Sequence, residues 1–459
     1  MAVTEEQPQP AAPLSTRRER VGWYAYDWAN SAFQTTVVTV FLGPYLTAIA
    51  EQAAGCPTDR DDPCDQPVRL LFFDLLPGQV FPYLVSFSVF LFVVLLPLVG
   101  AIADRSPYKR ELLAFFAYVG AGATIGMLFL VGDRVLLGTV LFLIANTAFG
   151  ASVVVYNSFL PQLAGPDERD KVSSTGWAAG YLGGGLLLAL NLVALLLQKP
   201  LGLSQGEVVQ YSIVSAGIWW AAFTTVPLLR LRNRPPLLGA ARGPVLTDGF
   251  RQLWRTLRQL RGFPLTLLFL LAYLVYSDGI ATVVALSAQY GSDELKLSAQ
   301  TLVVTILLVQ FVAFGGAVLA GRIAGRVGAR TTVLASLLLW SLVIGAAYFL
   351  PARQVVPFML LGVAIGVVLG GSQALSRSLF SQLIPKGKEA EFFGLYEITD
   401  KSTSWLGPLV FGLAYGLTSS YRSAILSVVG FFVIGFVLLA LVPIRRAIVA
   451  AGNTPPHVL

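Results

Sequence analysis

The sequence is poor in charge. Only 12% of its 459 residues are Asp, Glu, Lys or Arg, about half the roughly 25% usual in a soluble domain. Such a chain cannot clothe a water-facing surface of ordinary polarity, which excludes the common soluble globular class. Histidine is nearly absent. The single copy, His457, stands in a polar tail, which excludes histidine-based acid–base catalysis and His-rich metal sites. Two cysteines, Cys56 and Cys64, are too few to close a zinc shell. There is no phosphate-binding loop of the form Gly-x4-Gly-Lys-Ser/Thr, so the chain has no means of its own to use ATP. No nucleophile, base and orienter stand together, so an enzyme is not expected, and no cofactor is implied. The net charge of +7 does not point to nucleic acid, because the basic residues stand in short segments between apolar runs.

What the chain has in abundance is apolar residues: 55% of the sequence, with a mean hydropathy of +0.70. A spanning helix needs about 20 mainly apolar residues. Twelve stretches qualify: 21-50, 80-103, 111-131, 134-163, 173-197, 208-229, 263-289, 299-321, 331-350, 356-384, 392-418 and 422-443. Pro44, Pro97 and Pro408 fall inside them, where neighbouring helices can satisfy the freed backbone. The expected class is an all-α integral membrane protein with twelve transmembrane helices. Residues 1-20 are Pro- and Gln-rich, then basic, without an apolar stretch and cleavage site. They read as a disordered cytoplasmic tail and not as a signal peptide. Residues 444-459 read as a second cytoplasmic tail.

Orientation follows from the basic residues. With the N-terminus in the cytoplasm, inside segments hold 23 of the 32 lysines and arginines and outside segments seven. Both ends are then inside, in a plasma membrane. "GCPTDRDDPCD" falls outside, where Cys56 and Cys64 can form a disulfide or remain two free thiols. The longest inner segment, 230-262, carries eight arginines. Phe250, Leu253, Trp254, Leu257 and Leu260 recur there at helical spacing, as in an amphipathic helix on the inner membrane face. The segment divides the spans into six-helix halves, 21-229 and 263-443.

The halves carry traces of a repeat. "GAIADRSPYKR" from Gly100 and "GRIAGRVGAR" from Gly321 are 221 residues apart. "NSFLPQLAGPDERD" from Asn157 and "RSLFSQLIPKGKEAE" from Arg377 are 220 apart. Duplicated halves are the repeat logic of a transporter, with the solute site between them near the midplane.

"GAIADRSPYKR" resembles the loop between the second and third helices of the major facilitator superfamily, with Pro107 near the usual second glycine. The second copy has Gly325 where the acid would stand. "YDWANSAF", "YNSFLP", "GWAAGYLGGG", "GGSQALSRS" and "EFFGLYEITDKSTSWLGPLVFG" together resemble the vacuole-effluxer branch of that superfamily, over residues 20-445. The resemblance implies the major facilitator fold, alternating access and solute export, with amino acids as the cargo proposed for fungal members.

Charged groups within a bilayer are costly and are paired or face a cavity. Asp27 and Asn30 share a face of the first span, as a cavity-facing pair or as an interfacial cap. Trp23, Tyr24, Tyr26 and Trp28 around them fit an interfacial aromatic belt. Asp278, at mid-depth in the seventh span, is a candidate for a proton or a solute. Arg377 suits a substrate carboxylate, or an acid on the eleventh span. Tyr156, Asn157, Gln310 and Gln373 add uncharged hydrogen-bonding groups. Asp104 and Arg105 in the loop motif, and Glu397, Asp400 and Lys401 in the eleventh span, are candidate gate residues. Glu397 and Lys401 have the spacing of an internal pair. The glycines of "GYLGGG" fit close helix packing.

The expected function is secondary transport of a small polar solute, amino acids first, by a monomer in the lipid bilayer, with a possible coupling proton. One alternative is an exporter or flippase of amphipathic compounds or lysolipids. Another is a non-transporting scaffold or receptor.

Overall fold

The computed structural model describes residues 15–56, 64, 66–70, 73–237, 258, 261–401, 406–418 and 420–459. Among them, eleven helices are long and apolar enough to cross a membrane. In chain order these are α1 (Arg17–Ala53), α2 (Pro77–Arg105), α3 (Lys109–Phe129), α4 (Val135–Leu163), α5 (Arg169–Leu196), α6 (Gln205–Arg230), α7 (Pro264–Ser287), α8 (Gln300–Val327), α9 (Ala329–Ala347), α10 (Val355–Gln382) and, last, Tyr421–Leu441. Within the eleventh expected span the described residues form helix over Glu389–Lys401, here α11, and over Leu406–Thr418, here α12. We number Tyr421–Leu441 α13 and the short helix after it, Ile444–Ala450, α14. Helices suit these residues because lipid offers backbone groups no partner. Phe90, Leu342 and Leu413 are among the exposed apolar side chains that such surroundings accommodate.

Three details depart from the sequence-based expectation. The first helix begins at Arg17 and not at residue 21. Thr16 accepts from the Glu19 N–H, and the Glu19 carboxylate accepts from the Thr16 N–H. That reciprocal cap starts the helix before the apolar run does. The middle of α1, Phe33–Phe41, is wound as a π-helix. The loop after α1 is not wholly irregular: β1 (Val68–Leu70) pairs antiparallel with β2 (Phe73–Leu75). Before this hairpin, Cys56 is joined to Cys64, the disulfide alternative. The apolar positions of the 230-262 segment, Phe250 to Leu260, lie outside the described residues.

The buried apolar side chains form two cores. One runs from Trp23 to Leu231, with Ala390 added from α11. The other runs from Phe269 to Ile448. The sequence repeat reappears as paired contacts between these halves. A Cβ on Gly100 in α2 would lie 2.4 Å from the Ala390 carbonyl oxygen at the start of α11. At the matching place, a Cβ on Gly321 in α8 would lie 2.7 Å from the Ser174 Cβ near the start of α5. Each glycine lets a helix of one half approach the other half closely.

We call the end of the bundle that carries the α2–α3, α4–α5, α8–α9 and α10–α11 turns the basic end, and the opposite end the hairpin end. The tail after α14 lies along the basic end. Asn453 Nδ2 donates to the carbonyls of Gln382 (2.8 Å) and Ile384 (2.7 Å). The His457 N–H donates to Asp167 Oδ1 at 2.7 Å. Leu459 sits against the turn at Gly328, where φ is +90° and a Cβ would strike the Leu459 backbone.

Candidate functional site

A buried polar cluster joins the halves through one side chain. Arg377 projects from α10 and is 3% exposed. Its Nη1 and Nη2 each donate to Asp27 Oδ2 of α1 at 3.2 Å. Nη1 also donates to Asn157 Oδ1 of α4 at 3.3 Å. Nε donates to Ser173 Oγ of α5, and Nη2 to the Ser173 carbonyl, both at 2.9 Å. All five contacts reach the opposite half. Around them the guanidinium carbon lies 4.8 Å from the Trp23 ring centre, 5.4 Å from that of Trp177 and 5.6 Å from that of Tyr156. Aromatic faces stabilise a desolvated cation by about 2 kcal/mol or more. A buried ion pair tolerates its desolvation only when its remaining donors and acceptors are also satisfied. Arg377 meets that condition with its carboxylate, amide, hydroxyl and carbonyl partners.

Local sequence explains how Asp27 reaches this place. The glycines of α5 let α1 lie against it: a Cβ on Gly176 would be 2.6 Å from Asp27 Oδ2, and one on Gly183 would be 2.5 Å from the Trp28 carbonyl. Tyr156 fixes the carboxylate from its own half, its OH donating to Asp27 Oδ2 at 2.6 Å. Trp23 stacks on Tyr156 with ring centres 4.5 Å apart, and its indole N–H donates to the Tyr156 carbonyl. The aromatic residues expected as a surface belt are thus divided. Trp23 and Tyr26 are fully buried, because the cation at Arg377 and the packing of α4 claim their rings.

Asn157 is a junction. Its Oδ1 accepts from Arg377, while its Nδ2 donates to Glu397 Oε1 of α11 at 3.0 Å. Arg377 therefore meets the acid of α1 directly and the nearest α11 acid through one amide. Asp400 lies in a different setting, accepting from Tyr273 OH of α7 at 2.6 Å. The Lys401 side chain, and with it the expected pair to Glu397, lies outside the described residues. Asn30 is buried on α1 but makes none of the contacts to Arg377.

Closer to the basic end, Asp104 is tied three ways. Oδ1 accepts from Lys109 Nζ (3.1 Å) and the Ala390 N–H (2.9 Å), and Oδ2 from the Glu391 N–H (2.9 Å). A carboxylate of α2 thus caps the first turn of α11 across the halves, where free N–H groups and the helix dipole favour an anion. Arg105 ends α2 beside it, partly exposed. On the other side of the bundle, Ser378 Oγ donates to Asp170, and Arg169 Nη1 donates to the Ser381 carbonyl at 2.9 Å. Ser173 Oγ donates to the Ala374 carbonyl.

Two further candidates each contact the first half. Gln373 accepts from Tyr181 OH of α5, and Gln310 Nε2 lies 3.5 Å from Thr35 Oγ1 in the π-helical turn of α1. Asp278 is apart from both groups. It is 0% exposed and neither carboxylate oxygen has a hydrogen-bond partner among the described residues. It faces α12, where a Cβ on Gly407 would lie 3.2 Å from Oδ2.

Sequence reasoning missed Ser173, Trp177, Arg169, Asp170 and Lys109. Asp170 carried a signal: the 220-residue offset pairs it with Ala390, so the start of α5 should meet the opposite half as the start of α11 does.

Apolar spans in two matching halves, joined by polar contacts at one end, define a multi-pass membrane transporter of the major facilitator fold. The fold is similar to that of the proton:xylose symporter XylE, with a TM-score of 0.70, 11% identity, and coverage of 93% of this chain and 95% of that one. It is also similar to that of a bacterial homologue of the iron transporter ferroportin in an outward-facing state, with a TM-score of 0.63, 16% identity, and coverage of 93% and 99%. At these identities the likeness shows the fold alone.

The model of the vacuole effluxer Atg22-like family matches residues 15–452, and the chain belongs to that family. The MFS-type transporter YxiO of Bacillus subtilis is 29% identical, over 93% of this chain and 95% of YxiO. Autophagy-related protein 22-1 of Penicillium rubens is 27% identical, over 97% of this chain and 94% of that one. The protein is a transporter and not an enzyme.

Proposed function

We propose that the protein exports small polar solutes bearing an amine, amino acids first, by alternating access. Residues 21–229 and 263–443 are the moving bodies, and the monomer is the working unit. The basic end faces the cytoplasm of a cell that carries the protein in its plasma membrane. The conformation described here is then closed toward the cytoplasm. One observation supports this reading above the others: the buried carboxylate of Asp27 takes its charge partner, Arg377, from the opposite half. Opening the basic end removes that partner. An anion left in a low-dielectric cavity attracts a cation of suitable size, and a cargo ammonium arriving from the cytoplasm fits that need.

Asp278 is the group we assign to a coupling proton. Among the described residues neither oxygen has a full hydrogen bond, so the acid can take a proton without breaking one of these. Its position between α7 and α12 links it to movement of helices within the second half.

Efflux from proteoliposomes loaded with a mixed amino-acid and metabolite pool tests both assignments. Mass spectrometry should find selective loss of amines, faster with a pH gradient. Asp27→Asn should abolish that loss. Asp278→Asn should retain exchange of cargo but lose the response to the gradient. No loss beyond empty liposomes from well-folded protein would exclude amine export and turn attention to lysolipids in the same assay.

Orientation has its own test. After mild reduction, a membrane-impermeant maleimide added to intact cells should label Cys56 and Cys64. Labelling only after lysis would place the hairpin end inside.

A further inference from the structure

We infer that Arg377 is a two-position switch, which leaves Asp27 for Glu397 when the basic end opens. This rests on the reading of Asp27 as the cargo-facing acid and extends it to how the site is vacated. All five hydrogen bonds of the guanidinium cross to the first half, to Asp27, Asn157 and Ser173. Separation of the halves breaks all five together. A guanidinium cannot shed its charge in a protein, and a bare one in a membrane interior is costly. It must find an anion that travels with it.

Glu397 is that anion. It stands on α11, in the same half as Arg377 on α10, and is already buried. In the closed state a single side-chain amide separates the two, with Asn157 Oδ1 on the guanidinium and Asn157 Nδ2 on Glu397 Oε1. Asn157 belongs to the first half. Its departure on opening removes the spacer, and the two charges can meet within the second half.

Asp27 changes in the opposite sense. It keeps Tyr156, its partner within the first half, and loses both guanidinium contacts. The site presented to the cytoplasm is then a single carboxylate beside a phenol, with the nearby arginine neutralised by Glu397. Such a site selects a cationic group and gives no second anchor to a carboxylate. The recognised feature of the cargo is its ammonium. On closing, Arg377 returns to Asp27 and competes with that ammonium for the same oxygen, which drives release toward the hairpin end. Glu397 is a positioning residue in this scheme: it acts on cargo only through Arg377.

The test reads conformation first and needs no cargo. Spin labels at Tyr108→Cys and Arg326→Cys report the separation of the halves at the basic end, since both positions are exposed and lie in equivalent turns. The two native cysteines are bonded to each other and leave the introduced pair free for labelling. Glu397→Gln removes the charge partner of the open state. The closed-to-open ratio should rise about tenfold, a modest share of what an unpartnered buried charge costs. Glu397→Asp, which keeps the charge but shortens its reach, should move the ratio the same way by less. If Glu397 merely braces the closed gate through Asn157, Glu397→Gln, which keeps an acceptor oxygen, will leave the ratio unchanged, Glu397→Asp will shift it toward the open state, and the switch is wrong.

The cargo part is read on the same labels in the wild-type protein. Glycine amide, a cation, should widen the basic end, and N-acetylglycine should not. Widening by N-acetylglycine alone would overturn recognition of the ammonium. Closure of Glu397→Gln combined with no response to either compound would overturn amine export while leaving the switch standing.

Discussion

Arg377→Ala is expected to convert the population from closed to open at the basic end. The substitution deletes five hydrogen bonds and leaves Asp27 buried with Tyr156 alone. Removing one partner of a buried ion pair costs about 3–5 kcal/mol. That cost falls in full on the closed state, where Asp27 stays buried; in the open state the loss of Arg377 from Glu397 offsets part of it. The net shift toward the open state should be about tenfold to a hundredfold. The label pair at Tyr108 and Arg326 would show it as a longer distance, with efflux lost. Arg377→Lys should fall between, because an ammonium has three donors and no planar fork to meet a carboxylate, an amide and a serine together. An unchanged distance distribution in folded Arg377→Ala would mean that the pair does not hold the gate.

Gly100→Val should have a comparable effect for a steric reason. Its Cβ would lie 2.4 Å from the Ala390 carbonyl oxygen and 2.7 Å from the Glu391 Cα. These are backbone atoms, and no rotamer change relieves the clash. The first turn of α11 would have to withdraw from α2, and with it the two N–H groups that Asp104 caps. The contact lies between halves, so the core of the first half stays intact and the protein should fold. We expect permanent opening at the basic end and efflux reduced to background. Gly321→Val offers the internal comparison. There the nearest atoms are the Ser174 Cβ, fixed by its backbone, and its Oγ, which can rotate away, and no backbone atom lies as close as at Gly100, so its effect should be smaller. Equal and small effects from both variants would show that the close approach at Gly100 is dispensable for closure.

How much of this was legible in the sequence depends on the range over which each feature is determined. The spans could be read because about 20 apolar residues in a row have few other uses. The matched approaches at Gly100 and Gly321 follow from two short strings 221 residues apart. Asp104 stood out as a candidate gate residue from the loop it occupies. The partner of Arg377 was not. Glu397 is close in sequence and Asp27 is 350 residues away, so local spacing favours the wrong acid. The choice is made by Asn157, which occupies the direct path to Glu397, and by the α5 glycines, which bring α1 within reach. The aromatic residues before Asp27 resembled an interfacial belt because composition cannot reveal a cation from the other half. Asp278 could be recognised as an acid at mid-span, but that neither oxygen finds a hydrogen-bond partner among the described residues is a property of the assembled helices. The β1–β2 hairpin was missed because "VRLLFFDL" is as apolar as the spans around it and too short for either period to declare itself.

The tail along the basic end has a practical consequence for anyone handling this protein. Asn453 anchors it to the second half, His457 touches the first, and Leu459 fills the turn at Gly328. A fluorescent reporter joined after Leu459 would leave directly from the Gly328 turn, two residues beyond the contact of His457 with the first half. It would pull on the two bodies whose separation is the event of interest, so its brightness and its effect on transport could not be told apart. Joined ahead of Arg17, where α1 is held by its own cap, the same reporter would leave these contacts undisturbed.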